Sequence, residues 1–118
     1  MPHPPRLNLV VIRSADLHRA ETFYTALGLV FEKHRHGNGP EHLAAEHDGM
    51  VFEVYPATES KATTATRIGF QVADVDQTIA KLESLGVETT QPPTDSPWGR
   101  RAVVRDFDGH AVELTALP

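Results

Sequence analysis

The sequence predicts an α+β fold made of two tandem βαβββ units forming a half-open curved sheet cleft. Three observations predict it. "HDGMVFEVY" (His47 to Tyr55) and "FDGHAVELT" (Phe107 to Thr115) share an Asp-Gly pair, an apolar alternation and a glutamate four residues after the glycine. The likeness extends along the chain: Asp48 and Asp108, Glu53 and Glu113, and Gly39 and Gly99 each stand 60 residues apart. Upstream the offset is 58, with Ala15-Asp16-Leu17 matching Ala73-Asp74-Val75 and Leu27-Gly28-Leu29 matching Leu85-Gly86-Val87. A duplication with a two-residue loop insertion accounts for both offsets. The units are expected at about 6–56 and 66–117, within a single domain of 1–118.

Each element follows in order. "LNLVVIR" is a β-rich first strand. Asp16 then opens a helix as N-cap, Leu17, Ala20, Phe23, Tyr24 and Leu27 fall at helical spacing, and Gly28 closes it. "LVFEKHR" reads as a strand and "HGNGP" as a loop. "HLAAEH" and "MVFEVYP" form a hairpin about Asp48-Gly49, with Ala45 opposite Phe52, Ala44 opposite Glu53 and His42 opposite Tyr55. Pro56 to Thr66 is a linker rich in Ala, Thr and Ser. In the second unit "RIGFQV" is the first strand. A helix runs from Asp74 to Gly86 with Val75, Ile79, Leu82 and Leu85 on its apolar face and Gln77 in capping-box position. "GVETT" is a strand, "QPPTDSPWG" a loop, and "RRAVVRD" and "HAVELTA" the closing strands.

The bulk properties bound the function. The chain has 118 residues, 40% hydrophobic and 23% charged, which suits one soluble globule. A formal charge of -5 argues against nucleic acid and anionic membrane as partners, since both require clustered basic surface. Without cysteine there is no disulfide, thiolate catalysis or thiolate-bound zinc. "MPHPP" is a stiff lead-in with no apolar region after it, so the expected location is the cytoplasm.

Strand alternation sorts the side chains. Val10, Ile12, Phe52 and Val54 turn towards the first helix, and Ile68, Phe70, Val72, Val112 and Leu114 towards the second. The opposite face then carries Leu9, Val11, Arg13, His42, Glu53 and Tyr55 in one unit. In the other it carries Arg67, Gly69, Gln71, Ala111, Glu113 and Thr115. Tyr24 is expected in the core, and Asp48 and Asp108 as turn residues. "EKHRHG" has the look of a metal-binding tract but reads as a solvated edge strand, because alternating charge at an edge discourages aggregation. Trp98 either lines a pocket or packs under its Pro- and Gly-rich loop.

With "ADLHRAETFYTALGL", "VADVDQTIAKLESLGV" and above all "VRDFDGHAVEL" in view, the chain resembles the vicinal oxygen chelate superfamily: glyoxalase I, bleomycin-resistance proteins and extradiol dioxygenases. The resemblance covers nearly the whole chain. It implies the glyoxalase fold, and it leaves function open because that fold hosts isomerases, dioxygenases, thiol transferases and binding proteins. Metal-dependent members place a ligand in the first and last strand of each unit, positions that fall here at Leu9, Glu53, Arg67 and Glu113. Glu53 and Glu113 match; Leu9 and Arg67 offer no lone pair to a metal.

Two functions are therefore weighed. The first is a small-molecule binder resembling bleomycin-resistance proteins, with no cofactor and with Arg13, His42, Glu53, Tyr55, Arg67, Trp98 and Glu113 as ligand contacts. The second is a metal-dependent glyoxalase-type lyase or isomerase, or a dioxygenase, acting on a small oxygenated substrate. There a divalent ion would be held by Glu53, Glu113 and His42, the same three being the catalytic candidates. Related chains of this length complete their clefts by pairing, so a homodimer is expected.

Overall fold

The computed structural model describes residues 3–58 and 61–117. Of the expected segments, the start of the lead-in and residues 59–60 of the linker lie outside them. The chain runs β1 (Leu9–Ser14), α1 (Leu17–Leu27), β2 (Glu32–His34), β3 (His42–His47), β4 (Met50–Pro56), β5 (Arg67–Gln71), α2 (Val75–Ser84), β6 (Thr89–Ser96), β7 (Gly99–Arg105) and β8 (Ala111–Ala116). Two mixed four-stranded sheets result, ordered β1-β4-β3-β2 and β5-β8-β7-β6. In each, the first strand lies parallel to the last and the remaining pairs are antiparallel. The α+β architecture of two βαβββ units is thus present.

Local chemistry sets the elements. The Asp16 carboxylate accepts the Arg19 N–H and the Asp74 carboxylate the Gln77 N–H, each capping a helix N-terminus. Gly28, at φ 112, ends α1 and passes its N–H to Thr25 O. Asp48 (φ 51) and Gly49 (φ 79) make the tight turn between β3 and β4. That turn sets Ala45 against Phe52 and Ala44 against Glu53.

Two segments depart from the sequence expectation. "QPPTDSPWG" is largely strand: β6 runs through Pro92 and Pro93. It is the sheet's edge, where a residue without N–H costs nothing on the open side, and register shifts after Thr89 and Gln91 accommodate the prolines. The strand expected over "LVFEKHR" shortens to Glu32–His34, and Val30 is exposed.

One apolar core serves both units. Ile12, Phe23, Tyr24, Phe52 and Val54 from the first meet Ile79, Leu82, Val104, Val112 and Leu114 from the second. Tyr24 stacks obliquely against Phe52 and Phe70, and Phe23 meets the Phe107 ring edge-on. The helices lie against each other and their sheets, so the opposite sheet faces are left for chemistry.

Candidate functional site

The face away from the helices carries the repeated carboxylates at equivalent register. Glu53 on β4 lies between Val11 of β1 and Ala44 of β3; Glu113 on β8 lies between Gly69 of β5 and Val103 of β7. The diagonal neighbours differ. Arg67 of β5 and Arg101 of β7 flank Glu113. Leu9 and His42 hold the corresponding places around Glu53.

Glu113 is paired with two guanidinium groups. Arg101 Nε donates to Oε1, while Arg67 Nε lies 3.4 Å from Oε2. Arg101 also donates to Gln91 Oε1 at 2.8 Å, which fixes it across β6 and β7. The hydrogen bond from Arg101 holds the Glu113 carboxyl below its ordinary range, the two guanidinium charges add to this, and partial burial opposes it. Arg101 was missed in the sequence reading, although alternation along β7 puts it on the face of Glu113, diagonally opposite.

Among the described residues Glu53 has no guanidinium partner and faces a histidine instead. His42 is fully buried, and its Nε2 lies 3.3 Å from Glu53 Oε2. That separation is within ion-pair range, but the alignment is not that of a hydrogen bond. Nε2 is the one buried side-chain polar atom without a hydrogen-bond partner among the described residues. Nδ1 points to Pro40 O at 3.4 Å. Tyr55 stacks on the His42 ring at 4.1 Å between centroids, and Arg13 covers Tyr55 from 5.0 Å. Arg13 also donates to Pro56 O.

The sequence-derived candidates thus fall into separate groups. Arg13, His42, Glu53 and Tyr55 form one cluster on the first sheet; Arg67 and Glu113, with Arg101, form another on the second. No ion pair joins Glu53 to Arg67 among the described residues. Trp98 occupies the turn between β6 and β7 at 74% exposure, so it is not packed under its loop.

A third group was not anticipated. Asp106, beyond β7, accepts Tyr24 OH at 2.6 Å and His110 Nδ1–H at 2.8 Å on Oδ2. Its Oδ1 accepts the N–H groups of Asp108, Gly109 and His110. His110 Nε2 lies 2.7 Å from the Thr63 hydroxyl, which accepts the Arg13 N–H. Asp108 does more than turn the chain: it accepts Ser14 Oγ–H at 2.6 Å and Ala15 N–H at 2.8 Å. Burial raises the Asp106 carboxyl, but the bonds from His110 and Tyr24 outweigh it and the net shift is downward. Burial, then the Asp106 charge, pushes the Tyr24 phenol well above its ordinary range. Every polar atom is used, so this group ties the two units together rather than offering a site.

A family model described as the glyoxalase/bleomycin resistance protein/dioxygenase superfamily matches residues 6–114. Among solved structures, TnmS3, an antibiotic binding protein from Streptomyces sp. CB03234, is similar at 21% identity and TM-score 0.79, with 100% of each chain covered. TioX from Micromonospora sp. ML1 is similar at 27% identity and TM-score 0.70, covering 97% of this chain and 100% of its own. The fosfomycin resistance protein FosX from Listeria monocytogenes aligns at 21% identity and TM-score 0.67, covering 100% and 96%. No curated protein sequence matches.

Proposed function

The chain belongs to the glyoxalase/bleomycin resistance protein/dioxygenase superfamily, and from that premise we propose that it binds and sequesters a small planar or amphipathic molecule of the antibiotic kind. The observation that carries this reading is the pairing of Glu113 with both Arg67 and Arg101. Metal-dependent relatives would need ligands at Leu9, Glu53, Arg67 and Glu113. A leucine and a guanidinium have no lone pair to give, and the carboxylate that remains beside Arg67 is held by two fixed cations. A divalent ion does not fit this donor set.

A binding role uses the same faces differently. Leu9, 49% exposed, and Val11 offer apolar contact, Tyr55 an aromatic wall stiffened by Arg13 and His42, and Arg67 a cation for an acidic group. The likeness to TnmS3, an antibiotic binding protein, supports the ligand class. Such faces are open in one chain, and a second copy laid across them would enclose the ligand and cover Leu9 and Val11. A homodimer is therefore part of the proposal.

Calorimetric titration with a panel of flat polycyclic antibiotics tests it. Binding to metal-free protein should be saturable, and Arg67→Ala should weaken an acidic ligand by about tenfold, equivalent to ~1.4 kcal/mol. Quenching of Trp98, the sole tryptophan, reads whether that residue reaches the ligand. Light scattering should give the mass of two chains, with Val11→Arg shifting it towards one. Chelator-sensitive turnover of a small oxygenated substrate would instead place the protein among the enzymes of the superfamily.

A further inference from the structure

We propose that His34, His36 and His42, with Glu53 as a fourth donor, form a binding site for a borderline divalent metal ion such as zinc or nickel. Its three imidazoles lie outside the positions that metal-dependent relatives use, and Glu53 alone is shared with them. It does not depend on the small-molecule reading.

The three imidazoles come from different places. His34 sits on β2 opposite His42 of β3, and His36 on the turn that follows β2. One ring nitrogen from each lies within 4.8 Å of those from the other two. The backbone holds them there: Gly39 N–H closes the turn onto His36 O at 2.9 Å, and Gly37 takes φ 58. The His36 ring stacks on His42 at 5.1 Å, on the side opposite Tyr55.

The buried ring points to a cation. Its Nδ1 is directed at the Pro40 carbonyl, and in the tautomer that donates to that carbonyl the lone pair is on Nε2. That lone pair would face the Glu53 carboxylate, 3.3 Å away, with no hydrogen bond between them. Two acceptors in that relation repel each other, and an anion in the gap would add a third negative group. A cation relieves the conflict. The 3.3 Å between His42 Nε2 and Glu53 Oε2 matches the roughly 3.3 Å that separates ligands held about 2.0–2.1 Å from a tetrahedral zinc. His34 Nε2 meets Glu32 at 3.1 Å, the carboxylate–imidazole pairing that orients metal-ligating histidines. Imidazole with carboxylate selects zinc, nickel or copper over calcium or magnesium. Closing the set from 4.8 Å to bonding distance requires movement of the exposed His36 turn and leaves the buried His42 in place.

An ion here would fasten the 35–41 loop over the outer face of the first sheet. Isothermal titration of the metal-stripped, full-length protein with zinc chloride at neutral pH tests the site, with nickel as second probe. One equivalent should bind per chain, and thermal scanning should show a higher Tm with metal than with chelator. His36→Ala, at an exposed position where folding is not at stake, should weaken zinc by at least about tenfold. His34→Ala should do the same. His47→Ala removes an exposed histidine beside a carboxylate outside the cluster and should leave zinc affinity unchanged. Absence of saturable binding in the parent, or equal affinity in the parent and His36→Ala, overturns the proposal.

Discussion

His42 and His110 are both fully buried, one in each half of the chain, and they illustrate opposite ways to bury an imidazole. His110 has Asp106 on one nitrogen and Thr63 on the other. His42 has a carbonyl near one nitrogen and nothing hydrogen-bonded to the other among the described residues. Burial of a polar group is tolerated when its bonds are made and costs free energy when they are not. The first case is a completed structural joint. The second leaves Nε2 beside the Glu53 carboxylate without a hydrogen bond among the described residues. The two carboxylates differ in the same way: duplication placed Glu53 and Glu113 at equivalent register, but only Glu113 gained two guanidinium neighbours.

The largest expected effect comes from breaking the completed joint. His110→Phe leaves the Asp106 charge buried without its imidazole partner, and should cost about 3–5 kcal/mol in urea unfolding. Tyr24→Phe removes one of five bonds to the same carboxylate and should cost about 1–3 kcal/mol. A loss below a few tenths of a kcal/mol for both would mean that the joint is not what binds the units.

Acid and alkali should act on the joint from opposite sides. Asp106 is depressed in the folded state, so its contribution is full above the ordinary carboxylate range and is lost as pH falls through its lowered folded value. Tyr24 is raised, so its contribution is full below the ordinary phenol value of about 10 and fades as pH rises beyond it. Denaturation midpoints across pH should therefore drop at both ends, and Tyr24→Phe should flatten the alkaline drop.

His42→Phe sharpens the comparison by its contrast with His110→Phe. The stack on Tyr55 survives and the unpartnered nitrogen disappears. In metal-free protein the change should be neutral, or stabilising by up to about 1 kcal/mol. A loss comparable to that of His110→Phe would show that Nε2 is satisfied after all. The smallest effect is expected from Arg101→Ala. Its partner Glu113 is partly exposed, so solvent screening holds the cost to about 1 kcal/mol or less. The clearer readout is a rise in the acid titration of Glu113 followed by NMR.

Much of the frame was legible from residue order because it depends on neighbours. The Asp16 and Asp74 caps, the Asp48-Gly49 turn and the register it sets on Ala45 and Phe52 are short-range chemistry, and alternation then assigns Glu53 and Glu113 to one kind of face. Strand β6 was hidden because Pro92 and Pro93 argue locally against a strand, and only their place at a sheet edge makes them harmless. The sequence by itself determined the repeat, the elements and the side on which each residue lies. Tertiary structure decided the partners. Tyr24 meets Asp106 across 82 residues, Thr63 of the linker meets His110, Arg101 reaches Glu113 diagonally across a pair of strands, and the β2 turn folds His36 back onto His42. Periodicity and turn chemistry act over a few residues, while these contacts arise only when sheets twist and units dock.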